Sequence, residues 1–240
     1  MLRRVPLFTI IALLLVAAVR TPADAATAPS GVPGVDVSNY QGSVNWAAVR
    51  NAGVRWTYIL ATDGLNTPNR RYFAGQYNGA FNAGIIRGSY HYARFSVSDG
   101  TTQARYFVMH GGGWSPDGMT LPGALDLEGR CGADPASTRR WIAQFLNEYR
   151  RTTRRDAVIY TTPNWWATCV GSWPQVTSRF PLWISNTRTT RPRVPSGWGY
   201  YTMWQWVHGE DGGRVSGVTG GVDQNVFNGT VNRLQAFARG

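Results

Sequence analysis

The sequence predicts a single α/β domain folded as an incomplete TIM-like barrel, (β/α)5(β)3, and three observations predict it. From Gly34 onward, short apolar runs of strand length alternate with stretches of helical periodicity, the pattern of parallel strands joined by crossover helices. Eight strand candidates meet only five good helices, because the helical patterns fade toward the C-terminus. The first strand runs into Asp36-Val37-Ser38-Asn39-Tyr40 and not into the glycine fingerprint usual in the competing fold, an open doubly wound sheet.

Taken in order, Met1 to Ala25 reads as a signal peptide: Arg3 and Arg4, an apolar run from Val5 to Val19, then the small-x-small site Ala23-Asp24-Ala25. The run falls short of the roughly 20 residues a membrane span needs, which argues against an anchor. Residues 26–33 read as a short linker and 34–240 as the barrel. Strands are expected at Gly34 to Ser38, Trp56 to Ala61, Ile85 to Ala93, Gly123 to Glu128, Ala157 to Thr161, Leu182 to Ser185, Tyr201 to Val207 and Val222 to Phe227. Helices are expected at Asn45 to Asn51, Arg70 to Ala83, Thr101 to His110, Pro135 to Arg151 and Pro163 to Thr168. Asn186 to Gly199 and His208 to Gly221, rich in Gly, Pro, Thr and Arg, read as loops.

Composition removes whole classes of chemistry. All 24 basic residues are Arg, so Schiff-base, Lys-base and Walker-type phosphate chemistry are excluded. Three His and two Cys, with no HxxxH, HxH or CxxC spacing, give a metal site nothing to build on, and neither metal nor other cofactor is expected. Cys131 and Cys169 are the only cysteines and meet an oxidising environment if the chain is exported, so a disulfide is expected; two buried thiols are the alternative. Removing Arg3, Arg4, Arg20 and Asp24 with the leader takes the formal charge from +11 to +9. The Arg residues are scattered and no recognition motif accompanies them, so nucleic acid is not an expected partner. No membrane partner is expected after cleavage, and a monomer is the default.

The thirteen acids include only three Glu. Asp126 and Glu128 stand two apart at the end of an apolar strand and so share a face. Paired carboxylates at the C-terminal end of a barrel strand raise one another's pKa, as a general acid requires. A solvated strand end or an Arg-paired turn is the plain alternative. Barrel closure would bring Asp36 and Asp223 to the same pair, and Asp63 follows the second strand. Eleven Trp and eleven Tyr exceed what one core needs, and aromatic faces beside amide side chains suit a carbohydrate. Several cluster, at Trp165-Trp166, Tyr200-Tyr201 and Trp204-Gln205-Trp206, although for any single Trp the core is the commoner place. The substrate-binding candidates are Tyr40, Tyr92, Tyr160, Trp183, Trp204, Gln205 and Asp63.

Gly34-Val35-Asp36-Val37-Ser38-Asn39-Tyr40-Gln41-Gly42, Gly88-Ser89-Tyr90-His91-Tyr92-Ala93, Ala124-Leu125-Asp126-Leu127-Glu128, Val158-Ile159-Tyr160-Thr161, Pro181-Leu182-Trp183-Ile184, Trp204-Gln205-Trp206 and Val222-Asp223-Gln224-Asn225-Val226-Phe227 together resemble the family 25 glycoside hydrolases, secreted N-acetylmuramidases. The resemblance spans nearly the whole chain after the leader, in order. It implies a five-helix incomplete barrel, Glu128 as the acid, supporting aspartates Asp36, Asp126 and Asp223, and peptidoglycan glycan strands as substrate. One departure is Leu60 and Asp63, where many members carry Lys and Glu. A chitinase is the nearest enzymatic rival, weakened by Leu121 and Ala124 where its longer pattern places Asp. A non-catalytic wall-binding module is the other rival, and it would have no use for Glu128.

Overall fold

The structure, a computed structural model, describes residues 28–240. The expected signal peptide lies outside the described residues. Eight strands close a barrel in sequence order: β1 (Val32–Val37), β2 (Trp56–Asp63), β3 (Ile86–Tyr92), β4 (Ala124–Leu127), β5 (Val158–Thr161), β6 (Leu182–Ser185), β7 (Met203–Val207) and β8 (Asp223–Phe227). β1 starts two residues before the expected Gly34, taking the end of the supposed linker into the sheet. Neighbours from β1 to β7 pair in parallel, while β8 runs antiparallel to both β7 and β1. The alternating pattern had implied parallel pairing throughout. No α-helix lies between β7 and β8; the chain returns through the loop at 208–222, and β8 closes the barrel antiparallel to both of its neighbours.

The expected helices form as α1 (Trp46–Asn51), α2 (Phe73–Asn82), α3 (Gly100–Phe107), α4 (Pro135–Thr153) and α5 (Pro163–Cys169). Their starts follow from local chemistry. The Asn45, Asp99, Asp134 and Thr162 side chains each accept a first-turn backbone N–H, and Pro135 and Pro163 sit where a missing N–H is harmless. Two helices beyond the expected five are present: α6 (Pro174–Thr177) and α7 (Val231–Arg239). α7 is capped by Thr230 and anchored by buried Leu234 and Ala238, four residues apart on one face.

Strand alternation sorts the side chains into two cores. Outward residues such as Leu125, Leu127, Ile159 and Ile184 pack under α3, α4 and α5, and Val35, Val37 and Ile59 pack under α1 and α2. Inward residues Trp56, Tyr58, Ala124, Val158 and Met203 fill the barrel, and Leu234 and Ala238 of α7 join them. Aromatic volume inside is accommodated by glycine: a Cβ on Gly34 would overlap the Trp56 indole, and one on Gly88 would lie 2.5 Å from Tyr58 Cε1 and 2.9 Å from Leu121 Cβ. Cys131, just past β4, bridges to Cys169 at the end of α5, with Cα atoms 5.5 Å apart, so the expected disulfide is present.

Overpacking at such a glycine costs typically about 1–3 kcal/mol. Gly88→Ala is therefore expected to lower the thermal midpoint by roughly 2–4 °C for each kcal/mol lost. A calorimetric scan showing an unchanged midpoint would contradict the packing described.

Candidate active site

The C-terminal ends of the parallel strands open into a cavity of about 920 Å³, within the size range of ligand sites. Its inner wall is built by register. Tyr92 pairs with Asp126, Asp126 with Tyr160 and Tyr160 with Trp183, so four adjacent strands place four inward side chains in one row. Glu128 lies one inward position above Asp126. On the other side Asp36, the penultimate residue of β1, pairs with Asp223, the first residue of β8. Because β8 runs backward, the start of this strand and the end of β1 meet at the same mouth, and Asp36, Asp126, Glu128 and Asp223 all line one cavity.

Neutral side chains hold this ring. Asn225 Nδ2 donates to Asp36 Oδ2 at 2.7 Å, and Gln205 Nε2 donates to Asp36 Oδ2 at 3.0 Å and to Asp223 Oδ2 at 3.3 Å. With its amide nitrogen so committed, Gln205 turns Oε1 toward the Tyr160 hydroxyl at 2.8 Å and His208 Nε2 at 3.1 Å, which therefore donates. The Tyr160 hydroxyl also lies 3.2 Å from Glu128 Oε2; with one proton it donates to one acceptor at a time. Asp223 Oδ1 accepts the Gly209 backbone N–H at 2.6 Å. Trp183 Nε1 donates to Asn225 Oδ1 at 2.8 Å, fixing which way that amide faces. Ser38 caps the turn that carries Tyr40 and makes no turn with Asp36, which leaves the carboxyl free for the ring.

All four acids are pushed above their ordinary values. For Asp36 the cause is burial first and Asp223 second; for Asp126 it is burial, then Glu128 and Asp36. Glu128 and Asp223 are raised chiefly by loss of hydration, opposed by the neighbouring His208. Glu128 is open to water inside the cavity, yet protein walls on most sides displace bulk solvent, and this is why it still behaves as a desolvated acid. Asp126 Oδ1 is buried and has no hydrogen-bond partner, an uncommon state for a carboxyl oxygen.

Not every expected residue reaches the cavity. Trp204 faces outward between inward Met203 and Gln205, packs in the core beneath the helices, and donates Nε1–H to Asn186 O at 2.9 Å; strand alternation rules it out as a cavity wall. Trp183 is at the floor, only 2% exposed. Tyr40 stands at the rim, 88% exposed. Asp63 reaches the mouth because a bulge between Leu60 and Thr62 re-aims the end of β2, and there it is held by Arg94 at 2.5 and 2.8 Å. Sequence reasoning missed Asn225 and His208. Asn225, two residues after Asp223 and on the same face, carried a readable signal; His208 sat in a segment that showed only loop composition.

A barrel that gathers four perturbed carboxyls and a wall of tyrosines at its strand ends defines a glycoside hydrolase. The chain belongs to glycoside hydrolase family 25: residues 35–218 match the sequence profile of Glycosyl hydrolases family 25. It is similar to Lysozyme M1 of Streptomyces globisporus, 48% identical over 215 residues that cover 87% of this chain and 72% of that protein. It is also similar to the N,O-diacetylmuramidase of Chalaropsis sp, 40% identical with 87% and 100% covered. Among solved structures it resembles a bacterial lysozyme from Streptomyces coelicolor, with a TM-score of 0.83 and 47% identity over 88% of this chain and 98% of that one.

Burial of Asp36 has a consequence for stability. An unfolded Asp ionises near 3.9, whereas folded Asp36 keeps its proton to higher pH. The stabilisation from that tighter proton is complete below the unfolded value and is lost as pH rises through the folded one. Asp36→Asn keeps an oxygen for Asn225 and Gln205 but cannot ionise. Its thermal midpoint should exceed the parent's at pH 7, by roughly 2–4 °C per kcal/mol recovered, and the gap should close as pH falls toward 4. A midpoint below the parent's at pH 7 would refute the stated cost of this carboxylate.

Proposed function

We propose that this chain is a secreted lysozyme that hydrolyses the β-1,4 bond between N-acetylmuramic acid and N-acetylglucosamine in peptidoglycan. The observation that carries the reading is the strand-end acid pair, Asp126 and Glu128, inside a ring whose burial keeps a proton available, in a chain of family 25. Neither rival gains support: a wall-binding module has no need of four desolvated acids, and the relatives at 40–48% identity carry muramidase or lysozyme names. Export rests on the pattern of Met1 to Ala25. A monomer is favoured because the large exposed apolar side chains, such as Phe81, Met109 and Val231, are spread over separate elements.

Glu128 is the general acid in this reading, since it opens to the cavity and holds its proton above the ordinary Glu range. Asp126 lies beside it on the same strand end, hence on the same side of the sugar, and is badly placed to attack the far face. The acetamido group of muramic acid carries a carbonyl oxygen that can reach the anomeric carbon. Once ionised, Asp126, whose Oδ1 is buried without a partner, accepts the acetamido N–H, orients the group and stabilises the positive charge that develops on it. Asp36 and Asp223 shape the field around the pair. Tyr40, Tyr92, Tyr160 and Trp183 form apolar walls for sugar rings, with Gln205 holding the ring of acids and Asp63 held at the mouth by Arg94. Attack by the acetamido oxygen followed by water inverts the anomeric centre twice and so retains its configuration.

Glu128→Gln removes the proton donor at constant size and should cost on the order of 100- to 10,000-fold in the release of reducing ends from purified peptidoglycan, at a thermal midpoint no lower than the parent's. In the parent the rate should fall as pH rises through the elevated Glu128 value. An undiminished rate for E128Q would remove Glu128 from the mechanism.

The stereochemical expectation is separate. NMR of early products should show the β-anomer first, and Asp126→Asn should lose rate without changing that outcome. Initial α-anomer would mean inversion, and a covalent glycosyl ester on an Asp would exclude the acetamido route.

A further inference from the structure

Two guanidinium groups reach the walls of the catalytic cavity from opposite sides, and they are in different states. Arg94 is neutralised internally: both oxygens of Asp63 hold it, and it lies 4.4 Å from the centre of the Tyr92 ring. Arg214 has no carboxylate partner among the described residues. Only its Nη1 is engaged, donating to the carbonyls of Gly209 at 3.1 Å and Gly213 at 2.8 Å. The charge is thus held in place by neutral acceptors while Nε and Nη2 remain without a protein acceptor. The backbone beneath it is pinned as well, since Gln224 Nε2 of β8 donates to Arg214 O at 3.1 Å.

Arg214 stands beside the acid ring, because Gly209, whose carbonyl it holds, donates its own N–H to Asp223. An exposed cation at a cavity wall, tethered through one nitrogen and with a free edge of donors, is placed to receive an anion from the ligand.

We propose that Arg214 is a specificity-determining residue that binds a carboxylate carried on the 3-O substituent of a muramic acid unit. This rests on the muramidase reading. A chitin chain has no such group, so the contact separates the two polymers by an ion pair and not by ring shape. In peptide-free glycan the carboxylate is that of the lactyl group; in peptide-bearing glycan it belongs to the stem peptide.

The test is binding of soluble peptidoglycan fragments to Glu128→Gln and to the double variant Glu128→Gln/Arg214→Gln, by calorimetry. Fragments are used with and without stem peptides, each before and after conversion of free carboxylates to methylamides. A charge-assisted contact predicts a roughly 10- to 100-fold rise in Kd on removing Arg214 for at least one unblocked fragment, vanishing on its blocked counterpart. The fragment that shows it identifies the source as lactyl or peptide. In the active enzyme Arg214→Gln should raise KM with little change in kcat. Arg233→Gln, on α7 away from the cavity, makes the same charge change and should leave Kd unaltered. An equal loss on blocked and unblocked fragments, or no loss on any, overturns the proposal. A parent that binds these fragments without cleaving them faults the muramidase reading and leaves the binding comparison to decide this one.

Discussion

One side-chain amide, that of Gln205, organises the mouth of this barrel. Its nitrogen can only donate and its oxygen only accept, and all of its contacts agree: two carboxylates on one side, a phenol and an imidazole on the other. Because the side chain is 2% exposed, a flipped amide would place its oxygen against the carboxylate oxygens of Asp36 and Asp223. Asp36, Asp223, Tyr160 and His208, which come from four separate stretches of chain, are therefore held in one arrangement by a single neutral group. Neutrality matters here: an Arg in the same place would draw the acids down and leave no proton for catalysis.

The second constraint is the direction of β8. A barrel made only of parallel strands brings the C-terminal ends of its strands, and the loops that follow them, to its mouth. The antiparallel β8 reverses this and delivers its first residue, Asp223, next to Asp36. The same reversal sends the end of β8 to the opposite side of the barrel, where α7 packs Leu234 and Ala238 against the inward core. Closing the barrel and completing the acid ring are thus one structural event.

Gathering four acids has an energetic cost, met by the rest of the fold. The interior beneath the ring is filled by Trp56, Tyr58 and Trp183 in mutual contact, with glycines at 34 and 88 allowing the rings to approach the sheet. Outside, helix α4 is held to α3 by Glu148, which lies between Arg105 and Arg151 and is drawn down to about 2 by them. That carboxylate is the counterpart of the ring: it is stabilised as an anion by its partners, whereas the ring's acids are destabilised as anions by burial and by one another.

Much of this was legible in the sequence because it depends on short-range periodicity. Alternation of apolar residues marks the eight strands, cap residues and prolines start the helices, and a two-residue spacing puts Asp126 and Glu128 on one face whatever the tertiary structure. Family 25 membership was likewise carried by ordered motifs. Tertiary structure alone decided the direction of β8, the outward turn of Trp204, the exposed rim position of Tyr40, and the pairing of Asp63 with Arg94 through a bulge. The physical reason is the same for each. Local sequence sets which face a residue occupies relative to its own neighbours, but whether that face meets core, cavity or solvent depends on strands distant in the chain, and their register is settled only when the barrel closes.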